Sequence, residues 1–332
     1  MRTSTVSVNS TPKKFRILGG LLIGATVAGI AASLALKNLL RQEFQPQHVD
    51  TQDNDQVDPR EAEANSDGIV SLNNEYFEVA GLTDPGKRRA NNQDSFRLGS
   101  TKFAGQDQFL AIVCDGMGGH AGGEVASQIA ADLIWTVLSK QANESNDEAL
   151  YNSMRGALER ADAAIEQRAS KERELDGMGT TAVLAAIRRD NYLHCYVGDS
   201  RLYHFKSRSV SYQTKDHSLV RYLVEEGVIA KDEAREHPYR SQLTSSLGGG
   251  QNSNRLTIEP KWDGKDSPLR EWASGDWLVL CSDGLNSELD DTDIAAVLSD
   301  CEDVKQAAVA LKEKVLETEA RDNVTVIVAR KL

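Results

Sequence analysis

Two hydrophobic periodicities divide this chain. Short, continuous apolar runs bounded by polar turns recur at residues 109–114, 180–187, 191–198, 201–206 and 277–281, and again in the closing NVTVIVARK. Each has the length and composition of a buried strand. YFEVAGLTD (76–84), where the folded region is expected to begin near Asn74, and RLTIEP (255–260) read the same way. Elsewhere apolar residues return every three or four positions. Over 124–141, Val125, Ile129, Leu133 and Val137, with the adjoining Ala126, Ala130, Ile134 and Leu138, share one helical face. Over 147–169, Leu150, Met154, Leu158, Ala161 and Ile165 do so. Both stripes read as helix faces that cover a sheet. Further helices are predicted over 218–236, 292–298 and 303–320. Short polar gaps between the runs at 180–206 favour antiparallel hairpins. Strands and helices come in blocks without strict alternation, which predicts an α+β fold.

Residues 17–36 break this pattern, because they carry no charge at all. Twenty helical residues at about 1.5 Å each match the roughly 30 Å hydrocarbon layer. A cleaved signal peptide, a buried helix and an uncleaved anchor are the competing readings. The length of the run and the immediate Lys37 and Arg41 favour the anchor. Gly20, Gly24, Ala28 and Ala32 form a small-residue stripe through which a weak homodimer could pack. Arg2, Lys13, Lys14 and Arg16 lie before the span, and by the positive-inside rule they would put the rest of the chain outside the cytoplasm. From residue 43 to 67 eight acids face only Arg60, so 37–73 is expected to be an acidic flexible linker between the basic segment and span (1–16, 17–36) and a folded domain at 74–332.

Composition narrows the function of that domain. A net charge of -12 and the lack of a basic stripe give no field for nucleic acid, so no such partner is expected. Cys114, Cys195 and Cys281 sit inside apolar runs without C-x-x-C spacing and read as small buried hydrophobes, which disfavours zinc and disulfides and leans toward a reducing compartment.

The chemistry is carried by aspartates at strand ends. FLAIVCDGMGGH holds Asp115, LHCYVGDSR holds Asp199 and WLVLCSDGL holds Asp283, each beside a glycine; Asp322 opens the last run in RDNVTVIVAR. Any one Asp-Gly pair is an ordinary turn signal. Four carboxylates delivered by separate strands would repel one another unless a hard divalent cation neutralised them, so together they point to a metal centre.

TDPGKRRANNQD (83–94), VCDGMGGHAGGEVAS (113–127), GMGTTAV (177–183), VGDSR (197–201), KDHSLVRYLVEEGVI (215–229), LCSDGL (280–285) and RDNVTVIV (321–328) together resemble the ordered motif set of the type 2C, metal-dependent serine/threonine protein phosphatases, most closely their bacterial branch. The resemblance covers about residues 76–330. It implies an αββα sandwich of two antiparallel sheets flanked by helices. It also implies hydrolysis of phosphoserine and phosphothreonine on proteins, the products of a serine/threonine kinase, by a metal-bridging hydroxide without a phosphoenzyme. On that resemblance Asp115 would bridge two Mn2+ or Mg2+ ions with the Gly116 carbonyl as a further ligand, and Asp283 and Asp322 would complete the first ion. Asp199 and Asp283 would hold a third. Asp94 would anchor water from behind, and Arg89 would grip the substrate phosphate, as a bidentate guanidinium can.

Some positions depart from the family pattern. Met117 stands where some members carry a histidine, Gln93 replaces a frequent glutamate, and Ser241 and Ser245 stand where asparagine and arginine are usual beside a flap. His120, among glycines, reads as structural. Two other functions stay in view: a hydrolase of small phosphoesters, and an inactive phosphopeptide-binding module. Because ATP-dependent kinases make phosphoproteins in the cytoplasm, and the cysteines lean the same way, a cytoplasmic catalytic domain on a single-pass membrane anchor is the expectation, against the small excess of N-terminal cations.

Overall fold

The computed structural model describes residues 60–61, 68–118, 122–140, 146–250 and 256–332. The expected anchor at 17–36, its small-residue stripe, the segment 1–16 and His120 lie outside the described residues. Among those described, no helix is long and apolar enough to cross a membrane.

Two antiparallel sheets face each other. One runs in the order Ser209–Gln213, Arg201–Lys206, Trp277–Cys281, Val324–Lys331, Phe77–Asp84, Val70–Asn73. The main path of the other is Arg60–Glu61, Asp94–Phe103, Gln106–Met117, Ala182–Ile187, Asn191–Val197, Leu269–Glu271. On this second sheet Gly179–Thr180 pairs with the end of Gln106–Met117, and Leu247–Gly248 pairs with Gly179–Thr180.

The layering follows from the continuous apolar runs. Side chains alternate across a strand, so a run apolar at every position is apolar on both faces and must be covered on both. Phe109, Ala111 and Val113 enter the core between the sheets with Val79, Leu278, Leu280, Ile327 and Ala329. The intervening Leu110, Ile112 and Cys114 pack instead with residues of the helices Gly122–Leu138 and Asp147–Lys171. On the other sheet Ala80, Val279, Val326 and Val328 pack with residues of Asp291–Asp300 and Val304–Glu317. The result is the expected four-layer αββα sandwich. The helix Asp291–Asp300 begins on a capping box, Asp290 and Asp293 each accepting the other's backbone N–H.

Several boundaries differ from expectation for identifiable reasons. In Gly122–Leu138 the fully buried face is Ala126, Ala130, Ile134 and Leu138, while Val125, Ile129, Leu133 and Val137 lie at its margin. Strands Arg60–Glu61 and Val70–Asn73 fall inside the stretch read as linker, so the sheets take in residues ahead of Asn74. Ile69 and Val70, buried against the sheet, supply apolar surface that the acidic composition around them obscured. Of the run RLTIEP, the described residues 256–260 form no strand: Glu259 makes one isolated bridge to Tyr196, and Pro260, with no N–H to donate, ends it. The expected helix at 218–236 is confined to Leu219–Glu225, with Gly227 at a φ of +69° just beyond it. Ala182–Ile187 and Asn191–Val197 do form an antiparallel pair, but Asn191–Val197 and Arg201–Lys206 belong to different sheets. Gly198-Asp199-Ser200 is therefore a crossing between sheets, not a hairpin turn.

Candidate metal centre

One end of the sandwich gathers the sequence-predicted residues. Asp94 opens its strand directly opposite Asp115 on the neighbouring strand. Asp115 and Gly116 come two residues and one before the end of Gln106–Met117, Asp199 lies in the crossing between sheets, Asp283 is the first residue of the helix Asp283–Asn286, and Asp322 precedes Val324–Lys331. All five carboxylates are within electrostatic reach of Asp115 or are Asp115 itself. Arg89 comes from the loop after Phe77–Asp84, where its guanidinium donates to Asp322 at 2.6 Å and also feels Asp115 and Asp283.

Close backbone approach assembles this end. A Cβ on Gly116 would meet the carbonyl oxygen of Gly123 at 2.1 Å, and one on Gly123 would meet the Gly116 carbonyl at 2.8 Å. Only two glycines let the first turn of Gly122–Leu138 rest on the peptide beside Asp115. The Arg89 loop is held by Asn323, whose amide donates to Pro85 O at 2.9 Å and Asn91 O at 3.0 Å while its oxygen accepts from Gln93 N–H at 2.8 Å. Each such bond contributes about 1 kcal/mol net, and together they remove most freedom from the loop carrying Arg89.

The electrostatics are those of crowded carboxylates. Burial pushes Asp94 up, hydrogen bonds from Ser282 and Thr325 pull against it, and repulsion from Asp283 and Asp322 leaves it at about 7. Burial and then Asp322 raise Asp283 to about 6, although a hydrogen bond with Asp115 and the charge of Arg89 oppose the rise. Asp115 and Asp199 are raised well above the usual carboxylate range, by burial first and then by neighbouring aspartates. Among the described residues no three acidic, histidine or cysteine side chains converge on one point at ligand distance. Arg89 pairs with Asp322 at 2.6 Å.

The donor set nevertheless fits a hard divalent cation. It is all oxygen, it carries several negative charges on separate rigid elements, and it is costly without a counter-charge. Ser282 and Thr325 hydroxyls, each at 2.7 Å, fix Asp94 Oδ2, while the buried Asp94 Oδ1 has no partner among the described residues. A buried carboxylate oxygen left open in this way can hold an ordered water.

Some contributors were not singled out in the sequence. Asp216 lies near Asp199 and Asp283 and is gripped by Arg201 through two bonds of 2.7 Å. Thr181 Oγ1 accepts the Asp115 N–H at 3.1 Å and touches Ser200 Oγ at 2.7 Å. Arg201, Asp216, Thr181 and Ser282 all stand inside quoted motifs, so the signal was available for each of them. Arg235 donates to Leu289 O at 3.2 Å and to Asn286 O at 3.4 Å, at and beyond the last residue of the Asp283 helix. Ser245 is buried and bonded to Thr257, which gives it a structural role instead of one in the expected flap.

Residues 86–317 match the family model described as Protein phosphatase 2C, and the chain belongs to that family. It is 36% identical over 255 residues to the serine/threonine protein phosphatase PstP of Mycobacterium tuberculosis, a match covering 75% of this chain and 44% of PstP. The chain thus spans less than half the length of that relative. Against the serine/threonine phosphatase stp of Listeria welshimeri it is 30% identical over 249 residues, covering 75% of this chain and 94% of that one. The crystal structure of the PstP catalytic domain in complex with two manganese ions aligns with a TM-score of 0.63 and 32% identity, over 77% of this chain and 99% of the other.

Proposed function

We propose that this chain hydrolyses phosphoserine and phosphothreonine on proteins with the help of Mn2+ or Mg2+. The observation that carries the reading is the gathering of Asp94, Asp115, Asp283 and Asp322 within electrostatic reach at one end of the sandwich, with Arg89 bonded to Asp322, in a member of this family. Asp115, the Gly116 carbonyl, Asp283 and Asp322 would hold two central cations, and Asp199 with Asp283 a third. Such cations supply Lewis acidity toward phosphoryl oxygens and make water nucleophilic near neutral pH. Asp94, with its open oxygen, orients water, and the pre-set Arg89 loop presents a guanidinium to the phosphate dianion. No side chain at the site is needed to carry a covalent phosphate.

Arg89→Ala is expected to raise KM for a phosphothreonine peptide by about tenfold or more. Mn2+ affinity should hold or tighten slightly, because Asp322 loses a competitor. A calorimetric titration showing a large loss of Mn2+ binding would contradict this role.

The uncharged run 17–36 and its flanking cations support a single-pass anchor, and the kinase source of phosphoproteins supports a cytoplasmic catalytic side. One assay examines anchor and substrate class together. Membranes from cells expressing the full chain, washed in alkaline carbonate, should release phosphate from phosphothreonine peptides with kcat/KM at least about a hundredfold above that for small phosphoesters. Activity found in the wash would remove the anchor, and equal turnover of both substrates would remove the protein-directed specificity.

A further inference from the structure

His217 is buried at 5% exposure, and the proposed chemistry does not use it. Its Nδ1 accepts the Gly198 N–H at 3.2 Å, and its own backbone N–H donates to the Gly198 carbonyl at 2.9 Å. Both polar groups of Gly198 are thus committed to one residue. Gly198 has a φ of +102°, and a Cβ there would meet Thr181 Cγ2 at 2.5 Å, so no side chain can orient this peptide from within. The residue that follows is Asp199.

The ring is itself held on two sides. It stacks on Tyr196 with centroids 5.1 Å apart and planes at 30°. With Nδ1 accepting, Nε2 is left to face Glu259 Oε2 at 3.5 Å, without a hydrogen-bond partner among the described residues; the Tyr196 hydroxyl donates to that same oxygen at 3.1 Å. Beyond His217 the chain leaves the sheet to form segment 218–244. Ser218 caps the helix Leu219–Glu225 and bridges to Leu243, and the Thr244 N–H returns to the His217 carbonyl at 2.7 Å. The departing and returning strands of that segment therefore meet at His217.

We propose that His217 is a positioning residue that fixes the peptide leading into Asp199 and closes the base of segment 218–244, holding the outer carboxylate and the two ends of that segment with one residue. The part concerning cations rests on the reading of Asp199 as a cation-facing carboxylate. A ring that merely filled space would account for the Tyr196 stack. It would not require an acceptor at Nδ1, and that difference can be measured.

His217→Phe keeps the ring and the stack but removes the acceptor, whereas His217→Asn keeps an acceptor near the position of Nδ1. In the full chain, hydrogen exchange in fragments overlapping Gly198 should be faster by about tenfold in the Phe variant and within about threefold of wild type in the Asn variant. Protease cleavage within 218–244 should follow the same order. The Mn2+ binding that Asp199→Asn abolishes should weaken by about tenfold in the Phe variant only. Wild-type exchange and Mn2+ binding in His217→Phe, or equal damage in both variants, overturns the proposal. If the Phe variant does not fold, lost Gly198 protection in a folded His217→Asn chain overturns it equally. If Asp199→Asn leaves Mn2+ binding unchanged, the reading of Asp199 falls, and exchange with cleavage alone decides the anchoring role.

Discussion

Exhaustive chelation of the full chain is expected to lower phosphate release from a phosphothreonine peptide by at least about a thousandfold, with recovery on adding Mn2+ or Mg2+. Undiminished activity after chelation would end the metal-dependent reading. The carboxylates give a second, independent measure. Asp94 and Asp283 have an ordinary value of 3.8 and stand at about 7 and about 6 in the fold, so the folded state holds their protons more tightly than the unfolded chain. The sign follows by linkage: stability is greatest while both groups are protonated and falls as pH rises from about 4 through about 7. Chelated protein should accordingly melt at a lower temperature at pH 8 than at pH 5.5. Added Mn2+ should raise the melting temperature most at pH 8, where the carboxylates are ionised and bind it best. A melting temperature that climbs with pH in chelator would show that the cluster is not under repulsion.

Asp115→Asn is expected to be the most damaging single substitution, lowering kcat by roughly a thousandfold. Asp115 lies opposite Asp94 in the ladder and acts electrostatically on Asp94, Asp283, Asp199 and Asp322. Asparagine keeps its shape and its place, but removes the charge on which any shared cation would depend. Mn2+ affinity should fall along with turnover. Chelated Asp115→Asn should also melt slightly above chelated wild type, since a crowded carboxylate raised well above its usual range has become a neutral amide. Weaker cation binding combined with a more stable cation-free fold is the signature of a site residue, whereas a residue important only for folding would lose both. Near wild-type turnover in this variant would remove Asp115 from the centre.

Asp115, Asp199, Asp283 and Asp322 could be found in the sequence because each stands where an apolar run meets a glycine or a polar turn; Asp94 came only with the family resemblance. Such a junction marks a strand end whatever the strand pairs with. The groups that tune them could not be found that way. Ser282 reaches Asp94 across 188 positions and Thr325 reaches it across 231. His217, Asp216 and Asn323 are likewise ordinary polar residues until a distant strand comes alongside. Hydrophobic pattern reports burial, and it carries no label for the partner.

Arg201–Lys206 makes the same point at the level of the sheet. Its apolar run and the short gap before it predicted a hairpin with Asn191–Val197, yet it pairs with Trp277–Cys281 in the opposite sheet. A run apolar on both faces can satisfy its burial in either sheet. The choice between them falls to the tertiary structure, through Gly198 at positive φ and the two bonds to His217.

By itself the sequence determined which segments are buried on both faces, where covering helices stop and start, and that several carboxylates would stand at strand ends. Those properties depend on each residue's own polarity and on its near neighbours. Only the tertiary structure decided that the carboxylates share one end of one sandwich, that Arg89 is drawn to Asp322, and that Asp199 sits at a crossing between sheets. Those outcomes depend on contacts between residues far apart in the chain, whose energies exist only once the two sheets have closed on each other.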